Sequence, residues 1–262
     1  MTNFLTKICD YKKEHIVKKK QAFPANKLEL SISKNVPPRG FIRSLKLKID
    51  AGKYGLIAEL KKASPSKGII RENFEPTELA TQYKSGGACC LSVLTDAKFF
   101  QGKDFYLKLV HETVSLPILR KDFILDPYQV LESRALGADC ILLIMAALSD
   151  NQAIELEDAA CLLGLDVLLE VHNEIELERA FKLKSKLIGI NNRNLKTLKV
   201  DISMTEDLAP KVPFDYILVS ESGLYTKSDL ARMASVGANC FLIGEAFMRQ
   251  ENVELAVKSM LD

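Results

Sequence analysis

From about residue 54 onward, eight short apolar runs succeed one another, at 55–60, 89–94, 116–119, 139–144, 166–171, 187–190, 215–219 and 239–243. Each is separated from the next by a stretch with helical, amphipathic spacing, the signature of repeated βα units around a parallel sheet. The runs are apolar at nearly every position instead of every second one, which predicts strands buried on both faces. Punctuation agrees with this reading. Gly-Ala-x-Cys occurs at Gly87, Gly137 and Gly237, each time where a helix should close and a strand open, and glycine supplies the left-handed turn there. Helix starts are marked by Pro76 after Glu75, by Asp126-Pro127, and by Thr226 with Asp229 three residues on as a capping box.

A doubly wound open sheet would carry a Gly-rich fingerprint after its first strand, but no G-x-G-x-x-G occurs anywhere. Eight units without that signal predict a closed (β/α)8 TIM barrel. Residues 1–50 precede the first strand as a helical extension, with one apolar stripe through Phe4, Leu5, Ile8, Tyr11 and Ile16 and a second helix over about 42–49. The extension is expected to pack on the barrel near its mouth. No Pro/Gly/Ser-rich linker divides the chain, so 1–262 reads as a single domain.

Composition narrows the function classes. Apolar residues make up 47% and charged residues 27%, the balance of a globular chain with a substantial core. The strongest apolar run, 140–148, is far short of the ~20 residues that cross a bilayer, and the first twenty residues lack the apolar core of a secretory signal. A cytoplasmic location is expected, with no membrane partner. The six cysteines lack C-x-x-C spacing and read as core hydrophobes; His15, His111 and His172 form no ligand cluster, so no metal is expected. Residues 1–50 hold 12 basic against 4 acidic residues within a net charge of +2. That end invites a nucleic-acid reading, but no aromatics are interleaved at stacking spacing, and a solvated helix face accounts for it.

In a barrel the C-terminal ends of the strands converge on one face, so polar residues there are brought together from distant positions. Glu59 and Lys61 end the first run, Arg120, Lys121 and Asp122 follow the third, and Glu170 ends the fifth. Asn191, Asn192 and Arg193 follow the sixth, Ser220, Glu221, Ser222 and Gly223 the seventh, and Gly244 and Glu245 the eighth. Phe99, Phe100 and Phe123 are candidate ring-binding walls, beside the apolar ends at Leu94 and Leu142. Ser222-Gly223 and Gly244-Glu245-Ala246, with Ser64 from the first loop, suit a phosphate, because small residues expose backbone N–H groups. Two ammonium groups, Lys61 and Lys121, should depress each other's pKa, with Glu59 and Glu170 offsetting the repulsion, leaving one lysine poised as an acid.

These residues give the chain a close resemblance, over nearly its whole length, to the indole-3-glycerol-phosphate synthases. It rests on the segment Ile57-Ala58-Glu59-Leu60-Lys61-Lys62-Ala63-Ser64-Pro65-Ser66-Lys67-Gly68, on Ser92-Val93-Leu94-Thr95-Asp96 and on Phe99-Phe100-Gln101-Gly102. Leu119-Arg120-Lys121-Asp122-Phe123, Leu169-Glu170-Val171-His172, Ile190-Asn191-Asn192-Arg193-Asn194-Leu195 and Ser220-Glu221-Ser222-Gly223 extend it. The resemblance implies conversion of 1-(2-carboxyphenylamino)-1-deoxyribulose 5-phosphate to indole-3-glycerol phosphate, CO2 and water, without a cofactor, by a chain that is commonly a monomer. It implies Lys121 as general acid, Glu170 as its acid/base partner, and Lys61 at the substrate carboxylate or in dehydration. Glu59, Asn191 and Ser222 orient these groups. Arg193, Phe123, Glu221 and Leu142 contact substrate, and Ser64, Ser222, Gly223, Gly244 and Glu245 lie at the phosphate. Lys103 and Ala246 depart from the commonest pattern, each standing where a serine is frequent. His172 is expected to be structural and to face away from Glu170.

Rival readings are a barrel isomerase, an aldolase using Lys121 as a Schiff base, a non-catalytic sugar-phosphate binder and a nucleic-acid binder. The isomerase leaves Lys61 and Arg193 without a role, and the binding protein has no use for an intact Lys121 and Glu170.

Overall fold

The computed structural model describes residues 4–33, 35–195 and 197–262. The first three residues of the expected extension, and Lys34 within it, lie outside the described residues. Eight parallel strands close a barrel: β1 (Gly55–Leu60), β4 (Cys90–Leu94), β5 (Ile118–Lys121), β6 (Cys140–Ile144), β7 (Asp166–Val171), β8 (Leu187–Asn191), β9 (Ile217–Glu221) and β10 (Cys240–Ile243). After β1 a two-stranded antiparallel ribbon, β2 (Ala63–Ser64) and β3 (Gly68–Ile69), stands on the loop. Between and after the strands run α4 (Pro76–Gly86), α5 (Ala97–Phe100), α6 (Asp104–Thr113), α7 (Pro127–Ala135), α8 (Asp150–Leu162), α9 (Glu174–Ala180), α10 (Ser203–Leu208), α11 (Lys227–Ala234), α12 (Glu245–Met248) and α13 (Val253–Leu261).

All eight expected strands form. Two of them run two residues further than the apolar run alone implied, because pairing is a backbone property: Leu94 registers with Lys121, and Asn191 with Glu221. Lys121 and Glu221 are therefore carried on strands and not on loops. The marked glycines Gly87, Gly137 and Gly237 have φ of 107°, 92° and 95°. Asp126 caps α7, and Thr226 with Asp229 forms a capping box on α11.

Strand alternation divides the core into two layers. Leu56, Leu91, Leu143 and Leu169 face outward against the helices, while Ile57, Leu119, Leu142, Leu168 and Val219 fill the barrel interior. Each inward apolar residue is followed two positions later by a residue at the mouth. Ile57 precedes Glu59, Leu119 precedes Lys121, Leu168 precedes Glu170 and Val219 precedes Glu221, so the alternation that builds the core also aims these four side chains at one another.

The extension holds three helices, α1 (Phe4–Ala22), α2 (Ala25–Ile32) and α3 (Phe41–Asp50), one more than the sequence suggested. Only α1 lies at the mouth. Lys12, 3% exposed, pairs with Asp96 beyond β4 at 2.8 Å and with Asp122 beyond β5 at 2.7 Å. Lys19 pairs with Asp104 and Glu132. The expectation of a mouth position fails for α3, which closes the opposite end. Its Phe41 and Leu45 are fully buried among Cys90, Cys140, Leu187 and Cys240 at the strand starts. Hydrogen bonds fix it there: Ile42 N–H donates to Asp166 at 2.9 Å, and Ser44 Oγ to the Cys89 carbonyl at 2.9 Å. Cys89, Cys90, Cys140 and Cys240 are thus part of the floor packing, while Cys9 is buried on α1 and Cys161 is exposed.

Candidate active site

One cavity at the C-terminal ends of the strands is lined by Glu59, Lys61, Lys121, Phe123, Leu142, Glu170, Asn191, Arg193, Glu221, Ser222, Gly223, Gly244 and Glu245. These are all the residues to which the resemblance assigns a role except Ser64. At its centre Lys121 Nζ is 3.3 Å from Glu221 Oε2, 3.6 Å from Glu170 Oε2 and 3.7 Å from Glu59 Oε2. Lys61 Nζ stands 2.8 Å from Glu59 Oε1, and Ser92 Oγ donates to Glu59 Oε2 at 3.3 Å. Asn191 Nδ2 donates to Glu170 Oε1 at 3.2 Å, and Asn191 Oδ1 accepts from the Arg193 N–H at 3.0 Å.

Space for this cluster comes from two glycines. A Cβ on Gly189 of β8 would stand 2.2 Å from Glu221 Oε1, and one on Gly244 would meet Glu59 Oε1 at 2.8 Å. Gly244, expected only as a phosphate contact, therefore also makes room for a carboxylate.

The electrostatics correct one expectation. Burial would drive the Lys121 ammonium down, but Glu221, Glu59 and Glu170 outweigh it and hold Lys121 well above the ordinary lysine range. Three carboxylates surround this one ammonium, so repulsion between lysines does not set its acidity. Burial would likewise raise Glu170, yet Lys121, His172 and Asn191 hold it down to about 2. Glu59 is lowered by Lys61 and Lys121 against its burial. Glu221 goes the other way: burial, with repulsion from Glu170 and Glu59, exceeds the pull of Lys121 and pushes it up to about 8. At neutral pH the cluster thus holds two carboxylates, an ammonium between them, and a third carboxyl that keeps its proton.

Ser222 and Gly223 follow β9 with φ of 68° and 81°. Two successive residues at positive φ make a tight turn directly after the strand. Asn192 holds the turn, donating to the Ser222 carbonyl at 3.0 Å and to Ser220 Oγ at 3.1 Å, while Thr205 donates to its Oδ1. The Glu245 side chain is spent on Arg249, whose Nη2 lies 2.9 Å away. What Glu245 offers an anion is its backbone N–H at the start of α12, where helical N–H groups lack internal partners.

Ser64 lines an adjoining cavity with Lys61, Pro65, Ser66, Arg193, Leu195 and the α1 residues Phe4, Leu5 and Ile8. Its Oγ is buried without a hydrogen-bond partner among the described residues. Arg193 borders both cavities, with Nη1 3.2 Å from the Leu198 carbonyl and 3.5 Å from Ser66 Oγ. Phe100 and Phe123 are walls of the main cavity, their ring centroids 6.2 Å apart. Phe99 is not: it packs edge-on against Phe4 and Tyr11 of α1. Arg120 also turns away from the cavity, to Glu132, while Asp122 borders it and gives its carboxylate to Lys12.

Two residues escaped the sequence reading. Tyr225 lines the cavity beside Gly244, and its position two residues beyond the Ser222-Gly223 turn was the available signal. His172 does not face away from Glu170: its Nε2 is 3.3 Å from Glu170 Oε1. A separation of two residues puts both side chains on the same side of a strand.

Fold and site together define a (β/α)8 barrel whose mouth gathers lysines and glutamates from four strands in one cavity. Residues 5–260 match the family model for indole-3-glycerol phosphate synthase. The chain is 59% identical to the indole-3-glycerol phosphate synthase of Azospirillum brasilense and 51% identical to that of Rhodospirillum rubrum, in each case over all of both chains. It therefore belongs to the indole-3-glycerol phosphate synthase family. Among solved structures, tryptophan synthase subunit alpha from Legionella pneumophila superposes with a TM-score of 0.62 at 13% identity, covering 86% of this chain and 97% of that one. A 3-hexulose-6-phosphate synthase gives 0.64 at 12% identity, covering 79% and 97%. These two likenesses speak for the barrel alone.

Proposed function

We propose that Lys121 and Glu170 carry the ring closure by which 1-(2-carboxyphenylamino)-1-deoxyribulose 5-phosphate becomes indole-3-glycerol phosphate, CO2 and water. Membership of the family makes the chain a carboxy-lyase of tryptophan biosynthesis acting on a phosphorylated small molecule. The observation that supports these roles is the ammonium of Lys121 set 3.3 to 3.7 Å from three glutamate carboxyl groups in one cavity.

Attack of the aryl carbon on the ketose carbonyl leaves an alkoxide. A fixed ammonium stabilises that charge as it forms and then gives it a proton. An ammonium held above the usual range stays charged until the alkoxide, a far stronger base than a ketone, appears beside it. It also disfavours the aldolase alternative, since a Schiff base needs the free amine. Once Lys121 has given up its proton, Glu170 loses the cation that held it ionised, and its affinity for a proton rises. That suits Glu170 to take the proton from the new ring carbon. Lys61, steered by Glu59, meets the substrate carboxylate or the departing hydroxyl, and Asn191 orients Glu170. Phe123 and Leu142 form an apolar wall for the aromatic ring, with Arg193 at the substrate anions and Glu221, as a protonated acid, within reach of the sugar. Ser222, Gly223, Gly244 and Glu245 receive the phosphate through backbone N–H groups, with Ser64 reaching in from the adjoining cavity.

All of these groups come from one chain, which supports a monomer. We read residues 1–262 as one domain, with 1–50 its extension, at work in the cytoplasm. The test is to supply the carboxyphenylamino sugar phosphate and follow indole fluorescence for wild type and Lys121→Met. Turnover by wild type with a loss of about 10²-fold or more in the variant is expected; near-normal turnover by the variant removes Lys121 from its role.

A further inference from the structure

His172 sits just beyond β7 with its imidazole between two carboxylates. Nε2 is 3.3 Å from Glu170 Oε1, an ion pair and not an aligned hydrogen bond, and Nδ1 is 3.0 Å from Glu176 Oε2. The ring is 9% exposed, so solvent does little to screen either contact. Glu176 is fixed in turn: it accepts from the His172 backbone N–H at 2.8 Å and, through its other oxygen, from Asn173 Nδ2 at 2.6 Å. Asn173 is the cap of α9, accepting from Glu176 N–H. A continuous set of contacts therefore joins the start of α9 to Oε1 of Glu170, while Oε2 is left facing Lys121 at 3.6 Å.

We propose that His172 is a positioning residue for Glu170: anchored by Glu176, its imidazolium holds Oε1 so that Oε2 faces Lys121 and the substrate, and it keeps Glu170 ionised. This rests on the reading of Glu170 as the acid/base partner. A neutral imidazole has one N–H and can serve only one of two carboxylates, whereas the imidazolium has two. Burial lowers His172, but Glu170 and Glu176 outweigh it and bring it up to about 9. The charged groups facing the ring are Glu170 from β7 and Glu176 from α9. Those facing Glu170 are Lys121 from β5 and, from β9, the protonated Glu221.

The experiment measures indole-3-glycerol phosphate formation from the carboxyphenylamino sugar phosphate, from about pH 6 to about pH 10.5, for full-length wild type, His172→Gln, Glu176→Gln and Glu170→Gln. In His172→Gln at neutral pH, kcat should fall about tenfold with KM within about twofold. Wild type should lose kcat as pH rises through about 9, where the His172 imidazolium gives up a proton, and His172→Gln should lack that decline. Glu176→Gln, which takes one carboxylate from the ring, should move the decline to lower pH by about one unit. A histidine that served packing alone would change the melting temperature without altering the profile, so a folded His172→Gln with a wild-type kcat and decline overturns the proposal. If His172→Gln does not fold, an unmoved decline in Glu176→Gln overturns it and a downward shift supports it. Normal turnover by Glu170→Gln overturns the reading of Glu170 and this inference with it. An inactive Glu170→Gln beside a His172→Gln with the wild-type profile overturns the inference alone.

Discussion

Glu59 is shared between two lysines, with Oε1 2.8 Å from Lys61 Nζ and Oε2 3.7 Å from Lys121 Nζ. It is the group that lets two ammonium ions occupy one cavity. Replacing it by glutamine keeps the shape and removes the charge, so Lys61 and Lys121 are left to repel each other. Glu59→Gln should lower kcat about 10²-fold, within the usual range for a charge at an acid–base centre. Steady-state kinetics on the carboxyphenylamino sugar phosphate checks this, and an unchanged kcat would remove Glu59 from the machinery.

Glu221 predicts how stability varies with pH. Its folded pKa is raised to about 8, above the ordinary carboxyl value, so between those two values the folded chain binds a proton that the unfolded chain has lost. Its contribution is full below the unfolded pKa and disappears as pH rises through about 8. Glu170, Glu59 and Asp122 are depressed and act oppositely: their contribution is present above the ordinary carboxyl pKa and is lost as pH falls through their folded values. Urea unfolding at a series of pH values should therefore show Glu221→Gln gaining on wild type as pH rises from the ordinary carboxyl value to about 8, with no further gain above it. Parallel curves for the two proteins would contradict the assignment of that proton to Glu221.

Lys12 is the ionic pin of the extension, and removing it strands Asp96 as a buried carboxylate without an ion pair and leaves Asp122 with Arg120 at 3.6 Å as its remaining cation. Lys12→Met should cost about 3–5 kcal/mol in chemical denaturation, the range for breaking a buried pair from one side. Because Asp122 adjoins both Lys121 and Phe123, turnover should fall as well. A double variant, Lys12→Met with Asp122→Asn, should recover part of the lost stability.

Gly189→Ala tests the packing of the cluster without touching a charge. The added methyl meets Glu221 Oε1 at 2.2 Å, so the carboxyl or the strand must move, at about 1–3 kcal/mol for overpacking. A drop in kcat larger than the drop in melting temperature suggests is the expected result. Full activity would show that the position of Glu221 is not critical.

Much of the molecule was legible in advance because its signals are local. A strand buried on both faces is apolar throughout, and Gly-Ala-x-Cys marks the same turn three times, so eight strands could be placed without a structure. The residues of the mouth were legible for the same reason, since each lies two positions beyond an inward apolar residue. What was not legible depended on three-dimensional counting. From the sequence, Glu59 and Glu170 offset the repulsion between Lys61 and Lys121, but the third carboxyl group, Glu221 from β9, could be counted beside Lys121 only in three dimensions. The place of α3 was hidden because an amphipathic helix shows that it has a buried face and not which end of a barrel that face will meet. The ribbon of β2 and β3 pairs only two residues a side, too few to leave a period. His172 was misread through the period itself, although the spacing of two was in plain view.

The extension grips the barrel at both ends, α1 through Asp96 and Asp122, and Arg39 with α3 through Asp139 and Asp166. On a ribosome this segment emerges before the strands it grips, and the last of those four partners is made more than a hundred residues after α3. That helix must therefore wait, amphipathic and unpaired, until more than half of the 262 residues have been made, whereas the partners of α1 are in place by Asp122. Docking of the extension is a late event in assembly, and the catalytic mouth acquires its α1 wall only when the segment has closed on the strands it precedes.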